Sequence, residues 1–416
     1  MTIEGSRVLV VGMKKSGRAA FDFLFSRGAD VTPTDLKPHL VAGFRHQSED
    51  LFDEYWDLIV VSPGVPTDLP GIVRARSRGI GVIGEVELAA PYLWGPVIGI
   101  TGTNGKTTTT SLMGHILQSA GVPVQVGGNI GTPVIAMTET SRPNQWNVLE
   151  LSSFQLETIS TFRANIAVCL NVTQNHLDRH HTFENYAAAK GNLFRTQKAG
   201  DWALLNSDDE VCRSFASITA ATPVWFSGRD IANLMPPPEV PIPGRHNAEN
   251  VMAAAAAARI AGVADDKIAA AVRTFKAVEH RLEFVAEMRG VRFYNDSKAT
   301  SVDATSKAID SFDGNLWVIL GGKDKGSDYT TLRDRLHEKA HAGLLIGSAA
   351  EKIASQLDGA TPLVQAETLA GAVQYAWQHA KPGDTVLLAP ACASFDQFES
   401  FEHRGRVFKE LVNGLR

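Results

Sequence analysis

The chain has 416 residues, 44% of them hydrophobic, and a formal net charge of −5. At about 100 to 200 residues per domain, that length predicts two to four domains, and the pattern along the chain favours three. The acidic balance leaves no basic footprint for nucleic acid or an anionic membrane, so small-molecule partners and no nucleic acid are expected.

In chain order, Val8 to Val11 reads as a strand, entered with no charged and apolar leader before it, so no export segment is expected. Gly17 to Arg27 reads as a helix, Asp30 to Thr34 as a strand ending at Asp35, and Leu58 to Ser62 as a strand ending at Ser62-Pro63-Gly64. The turn Gly12-Met13-Lys14-Lys15-Ser16-Gly17 stands where a dinucleotide fingerprint would be, but Lys14 occupies the place of its middle glycine. Three readings of it remain: NAD, another nucleotide or nucleotide-sugar diphosphate, and a purely structural turn. Lys15, Ser16, Asp35, Lys37 and Gly64 are the candidate ligands for a charged nucleotide. An acidic helix, Gly84 to Leu93, precedes the boundary signal Gly95-Pro96. Strands follow at Val148 to Leu151 and Ile166 to Asn171, then a Pro-rich stretch Met235 to Gly244 and a helix Asn247 to Gly262. The Ala-rich run Val251 to Ala258 stops at Arg259 and is too short to span a membrane, so no membrane association is expected. Beyond Val278, strands Trp317 to Leu320, Ala342 to Ile346 and Thr385 to Ala389 alternate with helices. The prediction is an α/β protein with parallel sheets, in three domains at 1–92, 93–278 and 279–416. Cys169, Cys212 and Cys392 are odd in number and lack CxxC spacing, which excludes a disulfide framework or zinc site and fits a cytoplasmic location.

The most informative segment is Gly99-Ile100-Thr101-Gly102-Thr103-Asn104-Gly105-Lys106-Thr107-Thr108, between the apolar run Pro96-Val97-Ile98 and the helical stretch Thr109 to Leu117. Strand, glycine turn and helix N-terminus make a phosphate-binding loop. Backbone N–H groups from Gly102 to Thr108 would cradle phosphates, Lys106 would reach the terminal ones, and Thr107 would ligate Mg²⁺. A strict Walker A pattern has glycine where Ile100 stands.

Glu150, at the end of a strand, offers a hard oxygen ligand that could share the Mg²⁺ with Thr107. Asn175-His176-Leu177-Asp178-Arg179-His180 leaves another strand, and the clustering makes His176 a site candidate. Lys190, in Tyr186-Ala187-Ala188-Ala189-Lys190, reads as a surface lysine on pattern alone.

These blocks, with Glu150-Leu151-Ser152-Ser153-Phe154-Gln155-Leu156, resemble in this order the Mur ligases, which build the peptide of bacterial peptidoglycan. Asp296-Ser297-Lys298-Ala299-Thr300, Gly321-Gly322-Lys323-Asp324-Lys325-Gly326 and Pro390 to Phe398 are similar to the family's D-glutamate-adding branch. The resemblance implies a Rossmann-like N-terminal domain binding UDP-substrate, a central P-loop ATPase-like α/β domain and a Rossmann-like C-terminal domain binding the amino acid. It implies ATP and Mg²⁺, the substrates UDP-N-acetylmuramoyl-L-alanine and D-glutamate, and a monomeric enzyme passing through an acyl phosphate. Glu150 and Thr107 would hold one Mg²⁺, His176 would help hold a second, and Lys190 matches the family's carbamylated lysine. Asn247 and Asn250 match adenine-side contacts, and Arg281 and Asp296 match residues near phosphate and ribose. Lys298 and Thr300 would sit near the reacting groups, Lys325, Ser394 and Phe401 around D-glutamate, and Asn129 against the UDP-sugar. Two positions depart from the family pattern: Asn175 stands where Asp is common, and Ser301 where Asn is frequent.

A nucleotide-dependent switch protein would account for the phosphate loop but not for the Lys325 and Ser394 blocks. A dehydrogenase would account for the first domain but not for Lys106.

Overall fold

The structure, a computed structural model, describes residues 2–242, 244–276 and 278–415. Its first sheet contains β1 (Arg7–Val11), β2 (Asp30–Asp35), β3 (Arg45–His46), β4 (Leu58–Val61) and β5 (Gly81–Gly84), all parallel, in the order β3-β2-β1-β4-β5. The middle strands are apolar without alternation because neither face meets water. Val8, Val10, Leu58 and Val60 pack with Phe21 and Leu24 of the helix Lys15–Phe25. Leu9, Val11, Ile59 and Val61 pack with Leu51, Phe52, Ile72 and Ala75 on the other face. The strand order turns at β1 and β4, opening the crevice where such sheets bind ligands. The helix after β1 begins at Lys15, two residues earlier than expected. A Cβ at Gly17 would lie 1.7 Å from the Gly12 carbonyl oxygen, so that glycine serves the tight turn itself.

The second sheet contains β6 (Val97–Thr101), β7 (Val124–Gly128), β8 (Trp146–Glu150), β9 (Ile166–Cys169), β10 (Trp202–Asn206) and β11 (Thr222–Phe226), parallel in the order β11-β10-β9-β6-β8-β7. Because β6 lies between β8 and β9, the loops leaving these three strands emerge side by side. The sequence reading passed over β7, β10 and β11. The two edge strands are masked by Gly127-Gly128 and Pro223, residues that sheets tolerate at an edge.

The third sheet contains β12 (Glu283–Met288), β13 (Val291–Asn295), β14 (Leu316–Gly321), β15 (Ala340–Ile346), β16 (Leu363–Glu367) and β17 (Thr385–Leu388), in the order β12-β13-β17-β14-β15-β16. It departs from the expected parallel pattern at one edge, where β12 and β13 form an antiparallel hairpin. Arg289 and Gly290 between them both have positive φ, 52° and 76°, the geometry that matches strand twist in a two-residue turn.

The chain forms two compact units. One comprises Met1–Leu234 with Glu249–Val272, and so holds the first two sheets; the other comprises Met235–Ala248 with Arg273–Arg416 and holds the third. In the first unit, the short helix Glu85–Ala89 joins the two sheets through buried carboxylates. Glu87 accepts hydrogen bonds from the backbone N–H of Ser160, Thr161 and Phe162 and from both hydroxyls, at 2.6 to 3.0 Å. Glu85 Oε1 accepts from Ile135 N at 2.5 Å, while its Oε2 is buried with no hydrogen-bond partner among the described residues. Burial pushes the Glu85 carboxyl up from 4.5 to about 7, against the opposing N–H groups of Ile135 and Val134.

This has a sign. A carboxyl whose folded pKa is raised is protonated in the folded state while the unfolded chain has already ionised, so its stabilisation is complete below pH 4.5 and is lost as pH rises through about 7. The shift corresponds to roughly 3 kcal/mol. Glu85→Gln is therefore expected to flatten the fall in melting temperature between about pH 4.5 and 7; parallel wild-type and variant profiles in a thermal-shift series would contradict it.

Candidate active site

The helix Lys106–Ser119 starts directly at the phosphate loop, three residues before the expected Thr109. Ile100 is a buried strand residue paired with Glu150 and Val168, so β6 runs one position further than a Walker A glycine would allow. Gly105 has φ 84°, and a Cβ on it would lie 2.1 Å from Asn250 Oδ1. Only glycine lets Asn250 close over the loop, and the same Oδ1 accepts from Thr109 Oγ1 at 3.2 Å. Lys106 Nζ donates to Gly102 O at 2.8 Å and to Thr103 O at 3.0 Å. Lys190, from the helix Phe183–Arg195, is 1% exposed and donates to the same Gly102 O at 2.8 Å. It is a core residue, not the surface lysine its helical pattern indicates. Burial first, and the Lys106 charge second, hold its amine well below the ordinary lysine range, so it favours the neutral, nucleophilic form.

Glu150 closes β8 beside the loop and is 2% exposed. Its Oε1 accepts from Asn129 Nδ2 at 2.7 Å, and Asn129 N donates to Glu150 O at 2.8 Å. Oε2 is buried without a hydrogen-bond partner among the described residues. A buried carboxylate oxygen left over, next to a loop carrying the buried Thr107 hydroxyl, is a donor set that suits a hard divalent cation such as Mg²⁺. His176 is exposed, with φ 54° and its ring 4.9 Å from that of Phe154. Asn175 Oδ1 accepts the His176 backbone N–H at 2.9 Å, which fixes the turn. His180 is buried instead, bridging Ser153 Oγ at 3.0 Å and Glu157 at 3.2 Å.

In the first sheet, Asp35 accepts from Met13 N at 2.6 Å and Lys37 N at 3.0 Å and sits 3.4 Å from His39. It therefore orders the turn after β1 as well as facing the crevice. Ser16 lies in the first turn of the helix after β1, and Lys37 and Gly64 are exposed at the ends of β2 and β4. Lys15 Nζ donates to Gly131 O, which ties the first sheet to the loop carrying Asn129.

In the second unit, the three expected blocks leave β13, β17 and β14, which are adjacent in the sheet, at their carboxyl ends. Asp296 is buried, and burial pushes its carboxyl up to about 6 against Arg281, Leu282 N and Lys298. Arg281 Nε is buried with no hydrogen-bond partner among the described residues. Lys298 Nζ lies 5.9 Å from the centre of the Phe401 ring. Thr300 N donates to Lys298 O at 2.8 Å, Ser394 is buried, and Lys325 is exposed. Asn247 is buried, one helical turn before Asn250. The departure at Ser301 has a structural use: its hydroxyl accepts from Ala304 N and caps the helix Val302–Asp310. Glu279, His280 and Glu283 also cluster, but Lys409 Nζ sits 2.7 and 2.9 Å from the two carboxylates and supplies the counter-charge itself.

Residues 100–235 match the Mur ligase middle domain, and residues 280–392 match the Mur ligase glutamate ligase domain. A UDP-N-acetylmuramoylalanine–D-glutamate ligase of Solibacter usitatus is 64% identical, covering 100% of this chain and 99% of that protein. The ligase of the same name from Acidobacterium capsulatum is 51% identical, covering 99% and 97%. The chain belongs to the Mur ligase family. Among solved structures, the UDP-N-acetylmuramate-alanine ligase of Thermotoga maritima has a TM-score of 0.61 at 17% identity, covering 98% of this chain and 99% of that one. A pseudomurein peptide ligase type C of Methanothermus fervidus scores 0.59 at 18%, covering 99% and 100%. At such identities the likeness speaks for the α/β fold alone.

In this Mur ligase, several residues around the loop escaped the sequence reading. Asn171 supplies its carbonyl to Thr103 N at 2.8 Å and its Oδ1 to Asn104 N at 2.9 Å, and Tyr186 donates to Thr103 Oγ1 at 3.0 Å. Asn171 had one local signal, an amide at the end of an apolar strand beside the loop-bearing one. Tyr186 had none, since its role depends on a contact 83 residues away in sequence. All three cysteines are free, and Cys169 and Cys212 meet in the core with their sulfurs 3.3 Å apart. Among the described residues, no helix is long and apolar enough to cross a membrane.

Proposed function

We propose that this Mur ligase joins D-glutamate to the alanyl carboxyl of UDP-N-acetylmuramoyl-L-alanine, using ATP, as a monomer in the cytoplasm. The observation that carries the ATP half is the meeting of Lys106 and Lys190 on the Gly102 carbonyl beside the half-satisfied Glu150 carboxylate. The acyl and amine substrates rest on full-length relatives named for that reaction and on the three blocks at the carboxyl edge of the third sheet. In this reading residues 1–92 bind the UDP-substrate through Lys15, Ser16, Asp35, Lys37 and Gly64, with Asn129 contributing from the next domain. Residues 93–278 bind ATP through the loop Gly102 to Thr108, with Asn247 and Asn250 on the adenine side. Residues 279–416 contribute Arg281 and Asp296 toward phosphate and ribose, and Lys325, Ser394 and Phe401 toward D-glutamate.

Thr107 and Glu150 would hold one Mg²⁺, and His176 with a carbamate on Lys190 a second; bound there, Mg²⁺ offsets negative charge on the transferring phosphate. The carbamate forms when the neutral Lys190 amine attacks CO₂ and releases one proton, which turns a would-be ammonium into oxygen ligands. In the reaction, an alanyl carboxylate oxygen attacks the γ-phosphorus, the bond from that phosphorus to the β,γ-bridging oxygen breaks, and ADP leaves. The free amine of D-glutamate then attacks the acyl-phosphate carbonyl, the tetrahedral adduct expels inorganic phosphate, and the amine proton passes to solvent. Lys106 and Lys298 neutralise phosphate charge throughout, and the loop N–H groups orient the transferring group. The test is isotopic: with the alanyl carboxylate labelled in heavy oxygen, the released phosphate is expected to carry one labelled oxygen. Unlabelled phosphate, or AMP in place of ADP, would rule out the acyl-phosphate route.

A further inference from the structure

The largest fully buried side chain among the described residues is a cation. Arg404, in the helix Phe401–Asn413, is 0% exposed. Among the described residues its hydrogen bonds all go to neutral oxygens: Nε to Ser297 Oγ at 2.9 Å, Nη2 to Ser297 O at 2.9 Å, and Nη1 and Nη2 to Cys392 O at 3.3 and 3.2 Å. Burial pushes its pKa down only to about 10, so it stays charged at neutral pH.

A buried charge with no carboxylate in ion-pair contact among the described residues, and only the Asp396 charge acting on it from further off, is an expensive way to pack a helix on a sheet, and an apolar side chain would do it better. What the guanidinium adds is a rigid planar fork whose donors point in fixed directions. Here that fork bridges the two loops that leave the paired strands β13 and β17, beyond the end of their ladder. Ser297 immediately precedes Lys298, and Cys392 lies two residues before Ser394. The third block is drawn in as well. Lys323 N donates to Ala393 O at 2.8 Å, and a Cβ on Gly322 would lie 2.3 Å from that oxygen and 3.2 Å from Arg404 Nη1. Ala391 N to Ala299 O, at 2.9 Å, and Ser297 Oγ to Phe401 O, at 2.8 Å, complete the knot.

We infer that Arg404 is a positioning residue for amide formation: by gripping the Ser297 and Cys392 carbonyls it fixes the separation of Lys298 from Ser394, and so the seat of the incoming amino acid. The inference rests on the D-glutamate reading of these blocks. A misplacement of about 1 Å in such a seat costs on the order of 10²-fold in rate.

The test compares wild type, Arg404→Lys, Ser297→Ala and the double variant in steady-state kinetics against each of the three substrates, with melting temperatures in parallel. Arg404→Lys keeps the charge and loses the fork; it should raise KM for D-glutamate and lower kcat, each by about tenfold, with KM for ATP and the UDP-substrate within about twofold. Ser297→Ala should move the same constants by about threefold, and the double variant should lose less than the product of the two single effects. If Arg404→Lys does not fold, the KM shift of Ser297→Ala decides alone. A fall in melting temperature with KM for D-glutamate unchanged would make Arg404 a packing residue and overturn the inference. Wild-type enzyme that ignores D-glutamate altogether would instead overturn the substrate reading, so the two failures are distinguishable.

Discussion

Lys106→Ala loses turnover by about 10³-fold or more while its affinity for the UDP-substrate stays within about twofold of wild type. The reason is the division of labour in the first unit. Lys106 opens the helix behind the phosphate loop and has its Nζ on the loop carbonyls, where in the proposed reaction it would meet the terminal phosphates. Of the candidate uridine-side residues, Lys15 opens the helix after β1 of a different sheet, Asp35 closes β2 of that sheet, and Gly64 follows the end of its β4. Charge developing on the transferring phosphoryl group loses its nearest fixed cation, whereas a ground-state contact to the uridine diphosphate is untouched. Phosphate release and calorimetric titration with the UDP-substrate check the two halves separately. Turnover within tenfold of wild type would remove the phosphate-loop assignment.

Lys190→Ala is expected to be nearly inactive, by about 10²- to 10³-fold, and partly restored by millimolar short-chain carboxylic acids. A 1% exposed lysine with its amine held toward the neutral form, against a carbonyl of the phosphate loop, has the chemistry that the proposed uptake of CO₂ requires. Truncation leaves a buried space that a small carboxylate can enter, restoring oxygen ligands without the side chain. Lys190→Arg places a permanent cation there and cannot form the carbamate, so it should be inactive and resist rescue. Full activity of Lys190→Ala without added acid would sink the carbamate proposal.

What was legible in the sequence was local. The phosphate loop announces itself because an apolar strand, two glycines and Lys106 occupy consecutive positions, and Glu150 is legible because it ends an apolar run. Lys190 is the opposite case: its helical neighbours look like any solvated face, and only the fold shows the side chain turned inward beneath the loop. Arg404 and Glu85 were missed for the same reason. A charged residue in an amphipathic helix reads as surface until the element packed over it is known. The histidines show the limit of clustering as a signal. His176 and His180 are four residues apart, yet one is exposed and the other is bonded to Ser153 and Glu157 in the core. The β12–β13 hairpin was hidden because alternating βα patterns describe the interior of such sheets, not an edge added by a tight Arg289-Gly290 turn.

The central claim is tested most directly by phosphate release from ATP and Mg²⁺ with UDP-N-acetylmuramoyl-L-alanine present, comparing D-glutamate, L-glutamate and no amino acid. Strong release that appears only with D-glutamate is the predicted result. Release that ignores the amino acid, or follows a different one, would leave the phosphate loop standing and contradict the assignment of the third sheet's loops.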